Sequence, residues 1–244
     1  MNPKSYSVIT ITLNSAQTIK RTIDSVMKQR IAPLEYIFID GGSEDRTHDI
    51  IHSYDFSSKG IKFIFEKQEK KSGIYGAINQ GIKIANGEII FILHSDDWLE
   101  SDAAELVLAK FAKYPDCDVV LASAYFHSDY GKTTLRSPKN FILFPILMPV
   151  IHPASFVSKK TYEKYGLYDE KYKVSADYDF FYRLAKSGAE FCEIRNPIVN
   201  IQLGGFANSN KPVARRETLE IGLKYCFFTI LPLTAYILRK IFNR

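Results

Sequence analysis

Glu88-Ile89-Ile90-Phe91-Ile92-Leu93, followed directly by His94-Ser95-Asp96-Asp97, is the stretch whose reading decides the fold. A short apolar run between Asn86-Gly87 and an acidic turn reads as a strand buried on both faces, the kind found in parallel sheets covered by helices. Similar runs recur at Tyr6–Leu13, Leu34–Ile39, Ile61–Phe65 and Val119–Tyr125. Between them lie apolar residues at helical spacing: Ile19, Ile23, Val26 and Met27; Ile50, Ile51 and Tyr54; Ala77, Ile78, Ile82 and Ala85. Asn14 or Ser15 is placed to cap the first of these helices. Asp102 and Glu105 have capping-box spacing for a helix running to about Lys113. Alternating strands and helices predict an α/β fold, a mainly parallel, Rossmann-like sheet with helices on both faces.

The second half is less regular. Phe141–Val150 is apolar but broken by Pro145 and Pro149, as in a loop packed on the core or lining a cleft. Asp177–Ser187 reads as a helix with Phe180, Phe181 and Leu184 inward, and Phe191–Ile194 and Ile198–Leu203 as two short strands. No internal repeat or low-complexity tract is visible.

At 244 residues, 46% hydrophobic and 24% charged, the chain has the composition of a globular domain large enough for a sizeable core. A net charge of +5 does not point to a nucleic-acid partner. The three cysteines, Cys117, Cys192 and Cys226, form no C-x-x-C pair and fit a reducing compartment. Met1–Ser7 is polar and runs straight into a strand, so no signal peptide is expected and the protein is expected on the cytoplasmic side.

Ligands of such sheets bind beyond the carboxyl ends of the strands. Asn14, Asp40 and Asp96-Asp97 each follow the last apolar residue of a different strand, so they are expected at one edge. Adjacent carboxylates repel in a partly buried site, and a hard divalent ion relieves that by sharing them with phosphate oxygens. Asp96-Asp97 reads equally as the cap of the next helix. Asp40-Gly41-Gly42-Ser43 is a strand-to-helix turn, or a place where backbone approaches a ligand and Asp40 accepts hydrogen bonds from a base or ribose. Asp177 opens a helix, as a cap or as a general base facing the cleft. His152 is a metal or phosphate ligand, or a hydrogen-bonded histidine of the fold. Neither G-x-x-x-x-G-K nor G-x-G-x-x-G is present, which disfavours P-loop and dinucleotide sites.

These segments stand in an ordered series. It runs from Val8–Ser15 through Ile39–Ser43, Gly73-Ile74-Tyr75 with Ala77–Gly81, and His94–Trp98. It continues through His152–Phe156 and Gly166–Glu170 to Ala176–Asp179. The series resembles the family-two glycosyltransferases of GT-A fold, bacterial surface-polysaccharide branch, over about residues 5–205. The resemblance implies a nucleotide-diphosphate sugar donor, usually UDP-linked, with Thr12, Asn14, Asp40, Lys71, Asn79, Ser95 and Asp96 around the nucleotide. It implies Mn²⁺ or Mg²⁺ at Asp96 with Asp97 close by, and His94 and His152 as further candidates. It implies Asp177 as the base that activates an acceptor hydroxyl, on a glycan or a lipid-linked molecule, for inverting displacement. Three positions depart from the pattern: His94 stands where Asp or Asn is usual, and Lys71 and Gly76 where Asp is common. They keep open a catalytically silent domain that binds nucleotide sugar as a scaffold.

On this reading residues 1–205 form the catalytic domain, with a nucleotide part to about 125 and an acceptor part from about 126. Residues 206–244 form a helical tail. Within it Tyr225–Leu238 is largely apolar, carries Pro232 and is flanked by Lys224 and Arg239-Lys240. It is shorter than the roughly 20 residues of a membrane span, and is expected either to lie in a membrane interface, as on the inner face of the cell membrane, or to pack on the core.

Overall fold

The computed structural model describes residues 4–69, 73–128, 130–204 and 210–241. Each long apolar run forms a strand: β1 (Tyr6–Thr12), β2 (Glu35–Asp40), β3 (Lys62–Lys67), β4 (Ile89–Ile92) and β6 (Val119–His127). Two-residue β5 (Trp98–Leu99) follows the acidic turn, and β7 (Thr133–Arg136), β8 (Ser155–Ser158) and β9 (Phe191–Gln202) complete a nine-stranded sheet among the described residues. The order is β3-β2-β1-β4-β8-β6-β9-β5, with β7 pairing β6. β1 to β4 are mutually parallel, and β6 and β9 run the same way; β5, β7 and β8 run against them.

Alternation along the strands divides the core between two faces. Val8, Phe38 and Phe91 point to one face, where they meet Ile19, Ile23 and Val26 of α1 (Ile19–Met27), Ile51 of α2 (Thr47–His52) and Val107 and Phe111 of α4 (Ala103–Lys113). Ile9, Ile37, Ile39, Ile90 and Ile92 point to the other. There they meet Ile78 and Ile82 of α3 (Gly73–Ile84), Tyr162 of α5 (Lys159–Tyr165) and Phe180, Phe181 and Leu184 of α6 (Ala176–Lys186). Helices therefore cover both faces, as the pattern predicts. Phe141–Val150 is a loop packed on the second face: Phe144 is buried and stacks on Tyr182, ring centres 4.8 Å apart.

Four local expectations are corrected. Asp102 makes no side-chain cap; Gln29 Oε1 accepts the Ala104 amide instead (3.0 Å), and Glu105 is drawn 2.9 Å from Arg30 Nη1. Neither Asn14 nor Ser15 caps α1 through its side chain: the Ser15 carbonyl accepts the Thr18 and Ile19 amides. Phe191–Gln202 is one strand; its pairing with β6 shifts register on either side of the Ser123–Pro197 pair, skipping Arg195-Asn196 and then Ile198, a bulge at the residue that cannot donate to the ladder. The C-terminal apolar segment is not one helix: α7 (Lys211–Tyr225) ends before Cys226, and α8 (Ile230–Ile241) begins with Pro232 in its first turn, where a missing N–H costs nothing.

α7 and α8 pack as a hairpin. A Cβ at Gly222 would stand 2.7 Å from Pro232 Cβ, so glycine sets the closeness of the crossing. No helix of the described residues is long and apolar enough to cross a membrane.

Candidate active site

β1 and β2 end in register, Thr12 opposite Asp40. The Asp40 carboxylate is buried. Its Oδ1 accepts Thr12 Oγ1 (2.9 Å) and Ser43 Oγ (2.6 Å), and its Oδ2 accepts the Gly42 and Ser43 amides (2.9 and 2.8 Å). His48 Nε2 lies 2.9 Å from Oδ2. Burial alone would raise this carboxyl; the hydrogen bonds from Ser43, His48 and Thr12 overcome it and hold the group at about 2. Asp40 is therefore charged at neutral pH, and it shapes the glycine turn in which Gly42 takes φ 101°.

Asn14 sits just past β1 in the left-handed region, φ 52°, which asparagine tolerates better than most residues. Its amide donates to Ser43 Oγ (2.9 Å) and its Oδ1 accepts the Glu44 amide (2.9 Å), so it ties the tip of β1 to the glycine turn. Ser15 Oγ meets Ser95 Oγ at 2.9 Å, which ties the same tip to the acidic turn after β4. From α1, Thr22 Oγ1 lies 3.0 Å from the Ser95 carbonyl and 2.8 Å from that of Asp97. Arg21 donates to the Asp96 carbonyl (3.0 Å) with its guanidinium 3.6 Å over the Trp98 ring. Thr12, Asn14, Asp40, Ser95 and Asp96 thus share one edge.

Within the acidic turn the two aspartates differ. Asp97 is buried, and its Oδ1 accepts the Gln202 amide of β9 (3.0 Å). Burial, and then the charge of Asp96, push its carboxyl well above the usual range. Asp96 is half-buried, and none of the described residues donates to its carboxylate. Among the described residues no three His, Cys, Asp or Glu side chains cluster as a ready metal cage. Asp96 and Asp97 are the two carboxylates of this turn, and an ion such as Mg²⁺ held together with phosphate uses only one or two. His94 and His152 have ring centres 5.5 Å apart, and burial depresses both, His152 to about 3, so both rings are neutral at pH 7.

A run of contacts leads from these rings to Asp177. His152 Nε2 is 3.0 Å from Tyr168 Oη; the Tyr168 ring stacks on Tyr75 with centres 5.6 Å apart; Tyr75 Oη is 3.0 Å from Asp177 Oδ1. Asp177 lies in the first turn of α6, half-buried, and Oδ1 also accepts the Tyr178 amide (2.8 Å). Burial pushes its carboxyl up to about 6; the Tyr75 and Tyr178 hydrogen bonds pull against that, and Glu217 adds to the rise. A carboxylate near 6 is ionised at pH 7 yet basic enough to accept a proton. Asn79 is buried on α3, its amide donating to the Tyr168 carbonyl and Glu170 (both 2.9 Å) and accepting the Tyr168 amide (3.1 Å). Lys71 lies outside the described residues.

Sequence reasoning missed Ser15, Arg21, Thr22, Tyr168 and Glu217 as parts of this site. For Thr22 a signal existed: a hydroxyl residue among Ile19, Ile23 and Val26 on the buried stripe of α1 needs a polar partner. For Glu217 there was no local signal, because its partners lie more than forty residues away.

Residues 7–178 match the family model described as "Glycosyl transferase family 2". A "PGL/p-HBAD biosynthesis glycosyltransferase" of Mycobacterium bovis (strain BCG / Pasteur 1173P2) is 29% identical over 209 residues, covering 84% of this chain and 79% of the relative. An "Uncharacterized glycosyltransferase" of Mycobacterium tuberculosis (strain ATCC 25618 / H37Rv) is 34% identical over 185 residues, 73% of this chain and 68% of its own. The crystal structure of S. aureus TarS 1-349 in complex with UDP superposes with a TM-score of 0.70 at 18% identity, covering 95% of this chain and 69% of that one. The mannosyltransferase PcManGT from Pyrobaculum calidifontis, in complex with GDP-Man and Mn²⁺, gives 0.70 at 14% identity, covering 97% and 70%. At these identities the structures establish the fold, which is of GT-A type.

Proposed function

The chain belongs to glycosyl transferase family 2, and from that footing we propose that it moves a sugar from a nucleotide-diphosphate donor, a UDP-sugar, to a hydroxyl of a glycan or lipid-linked acceptor, with inversion at the anomeric carbon, in cell-surface polysaccharide synthesis. What supports the reading is the continuous set of contacts along one sheet edge. Ser15 meets Ser95, His94 lies beside His152, His152 reaches Tyr168, and Tyr75 links that cluster to Asp177. A charged Asp40 turn, the Asp96 carboxylate, to which none of the described residues donates, and a carboxylate poised near pH 6 lie along this set of contacts.

In this reading Thr12, Asn14, Asp40 and Ser95 form the wall against the nucleotide, and Asn79 holds the Tyr168–Glu170 turn behind the sugar. Asp96 is the principal metal ligand and Asp97 supports the turn from beneath. Asp96 would hold Mn²⁺ or Mg²⁺, which when bound would offset negative charge on the diphosphate leaving group. Asp177 takes the proton of the acceptor hydroxyl while that oxygen bonds to the anomeric carbon. Residues to about 125 serve the nucleotide and residues 126–205 the acceptor.

The same proposal places the chain at a lipid surface on the cytoplasmic face of the membrane. α8 docks through Pro232 and Ala235, which turns Ile230, Leu233, Ile237 and Ile241 outward beside the exposed Phe227 and Phe228. No acidic residue occurs from Ile221 to Arg244. An apolar helix face without acidic neighbours is suited to the interface of an anionic membrane.

Titration calorimetry with UDP and with GDP, each with and without Mn²⁺, tests the donor part. Mn²⁺-dependent binding of UDP, lost in Asp96→Ala, is the expected result. Binding of neither nucleotide would overturn it.

A further inference from the structure

Glu217 is a buried carboxylate on α7. Its Oε1 accepts the Lys173 amide (2.8 Å), and its Oε2 accepts the amides of Val174 (3.0 Å) and Ser175 (2.9 Å). These three groups immediately precede α6, whose second residue is Asp177. Amides at such a position lack strand or helix partners, and a carboxylate there answers both their need and the positive end of the helix. Ser175, the residue before α6, supplies no side-chain cap; Glu217, from another helix, instead holds the three amides that lead into α6.

The clamp reaches Asp177 by a second route. The Val174 carbonyl accepts the Tyr75 hydroxyl (2.8 Å), and that same hydroxyl lies 3.0 Å from Asp177 Oδ1. One carboxylate thus fixes both the backbone from which Asp177 projects and the group that hydrogen-bonds it. We propose that Glu217 is a positioning residue for Asp177, and that α7 thereby belongs to the acceptor side of the active site instead of being an appendage to it. This inference rests on the reading of Asp177 as the base.

Several other ionisable groups surround Asp177. Tyr75 faces it from α3, Tyr168 from the turn before α6 and Glu217 from α7. Asp179, on the same helix, is held by Lys224 (2.9 Å), Tyr225 (3.0 Å) and Arg183 (3.7 Å). Glu220, one turn along α7, touches the same segment differently, with Tyr172 Oη at 3.2 Å and Lys171 Nζ at 3.4 Å.

The test uses the full chain with Mn²⁺ and whichever of UDP-glucose, UDP-galactose, UDP-N-acetylglucosamine and GDP-mannose it hydrolyses fastest. Water is the acceptor, and kcat and donor KM are measured from acid to alkaline pH. Glu217→Gln sets an NH₂ group against backbone N–H donors and removes a negative charge. It should lower kcat by about tenfold to a hundredfold, the scale of an ångström's misplacement. Donor KM should stay within about twofold, and the acidic limb of the profile should move to lower pH. Glu217→Asp keeps the charge but retracts it by one methylene; it should lower kcat with the limb in place. Glu220→Gln should behave as wild type.

If Glu217→Gln keeps wild-type kcat and pH profile while Asp177→Asn is inactive, the positioning role is wrong and the base survives. If Asp177→Asn keeps wild-type kcat, the base reading fails, and this inference with it. If neither Glu217 variant folds, or if Glu220→Gln loses kcat in parallel, Glu217 only holds the fold together and the proposal is overturned.

Discussion

Tyr75 Oη lies 3.0 Å from Asp177 Oδ1, so a hydroxyl on α3 touches the candidate base on α6, 102 residues further along the chain. The contact favours the carboxylate form and restrains a carboxyl that burial has already pushed up to about 6. A base works only when deprotonated, so the rate should rise with pH through that value. Tyr75→Phe removes the restraint and should raise the carboxyl further. A hydrogen bond to a charged group is worth about 1.5–3 kcal/mol, or roughly one to two pH units. Because the hydroxyl is shared with the Val174 carbonyl, the lower end is expected. The acidic limb should move up by about one unit, with activity several-fold lower near pH 6.5 and close to wild type at alkaline pH. A limb that stays in place would contradict this.

Asp177 also carries a stability cost with a defined sign. Its carboxyl is higher in the folded chain, about 6, than in the unfolded chain, 3.8. The folded state therefore favours the protonated form. That contribution is fully present below the unfolded value and is lost as pH rises through about 6. Asp177→Asn should abolish transfer yet raise the melting temperature at pH 7.5. The gain is discounted to about 1 kcal/mol because the group is only half-buried, which for a chain of this size is roughly 2–4 °C. At pH 4 the difference should vanish. Equal melting temperatures at both pH values would argue that the carboxylate is not strained by burial.

Asn14 combines a left-handed backbone with two hydrogen bonds to the glycine turn. Asn14→Ala should lose the Glu44 contact and strain the backbone by about 1–2 kcal/mol. Asn14→Gly should lose only the contact. Nucleotide affinity measured by calorimetry should fall in the order wild type, Asn14→Gly, Asn14→Ala. The reverse order for the two variants would contradict the role given to the turn.

The strand tips were legible because each apolar run stops abruptly at a polar turn: Leu13 before Asn14, Ile39 before Asp40, and Leu93 before His94-Ser95-Asp96. Parallel pairing then carries Asn14, Asp40 and Asp96 to one edge, and no long-range knowledge is needed. What could not be read depends on partners distant in the chain. Glu105 looks like half of a capping box until Arg30 is seen beside it, and Gln29 caps α4 from across the structure. Phe191–Ile194 and Ile198–Leu203 look like two strands because Asn196-Pro197 breaks the pattern, yet the bulged pairing with β6 makes them one. Lys224 and Arg239 look like the basic flanks of an interfacial helix. Instead, Lys224 is held by Asp179, while Arg239 donates to Thr218 Oγ1 and the Ile146 carbonyl.

With two flanking cations engaged internally, binding to vesicles should rest chiefly on the apolar face of α8. The protein should pellet with phosphatidylglycerol vesicles and lose only part of its binding when salt is raised. Phe228→Glu combined with Ile237→Glu leaves Glu217, Lys224 and Tyr225 untouched and should leave the protein in the supernatant with unchanged UDP affinity. Equal pelleting of both proteins would show that the apolar face of α8 does not carry membrane binding.

Metal-dependent sugar transfer at the edge that carries Asp96 is read out by nucleotide release. The full chain is incubated with UDP-, GDP- and dTDP-sugars and Mn²⁺, with and without EDTA, beside Asp96→Ala. Release is predicted from at least one UDP-sugar, lost on chelation and reduced by at least about a hundredfold in Asp96→Ala, the scale of removing one group that stabilises developing charge. Release that is indifferent to both EDTA and Asp96→Ala, or no release from any donor, would contradict it.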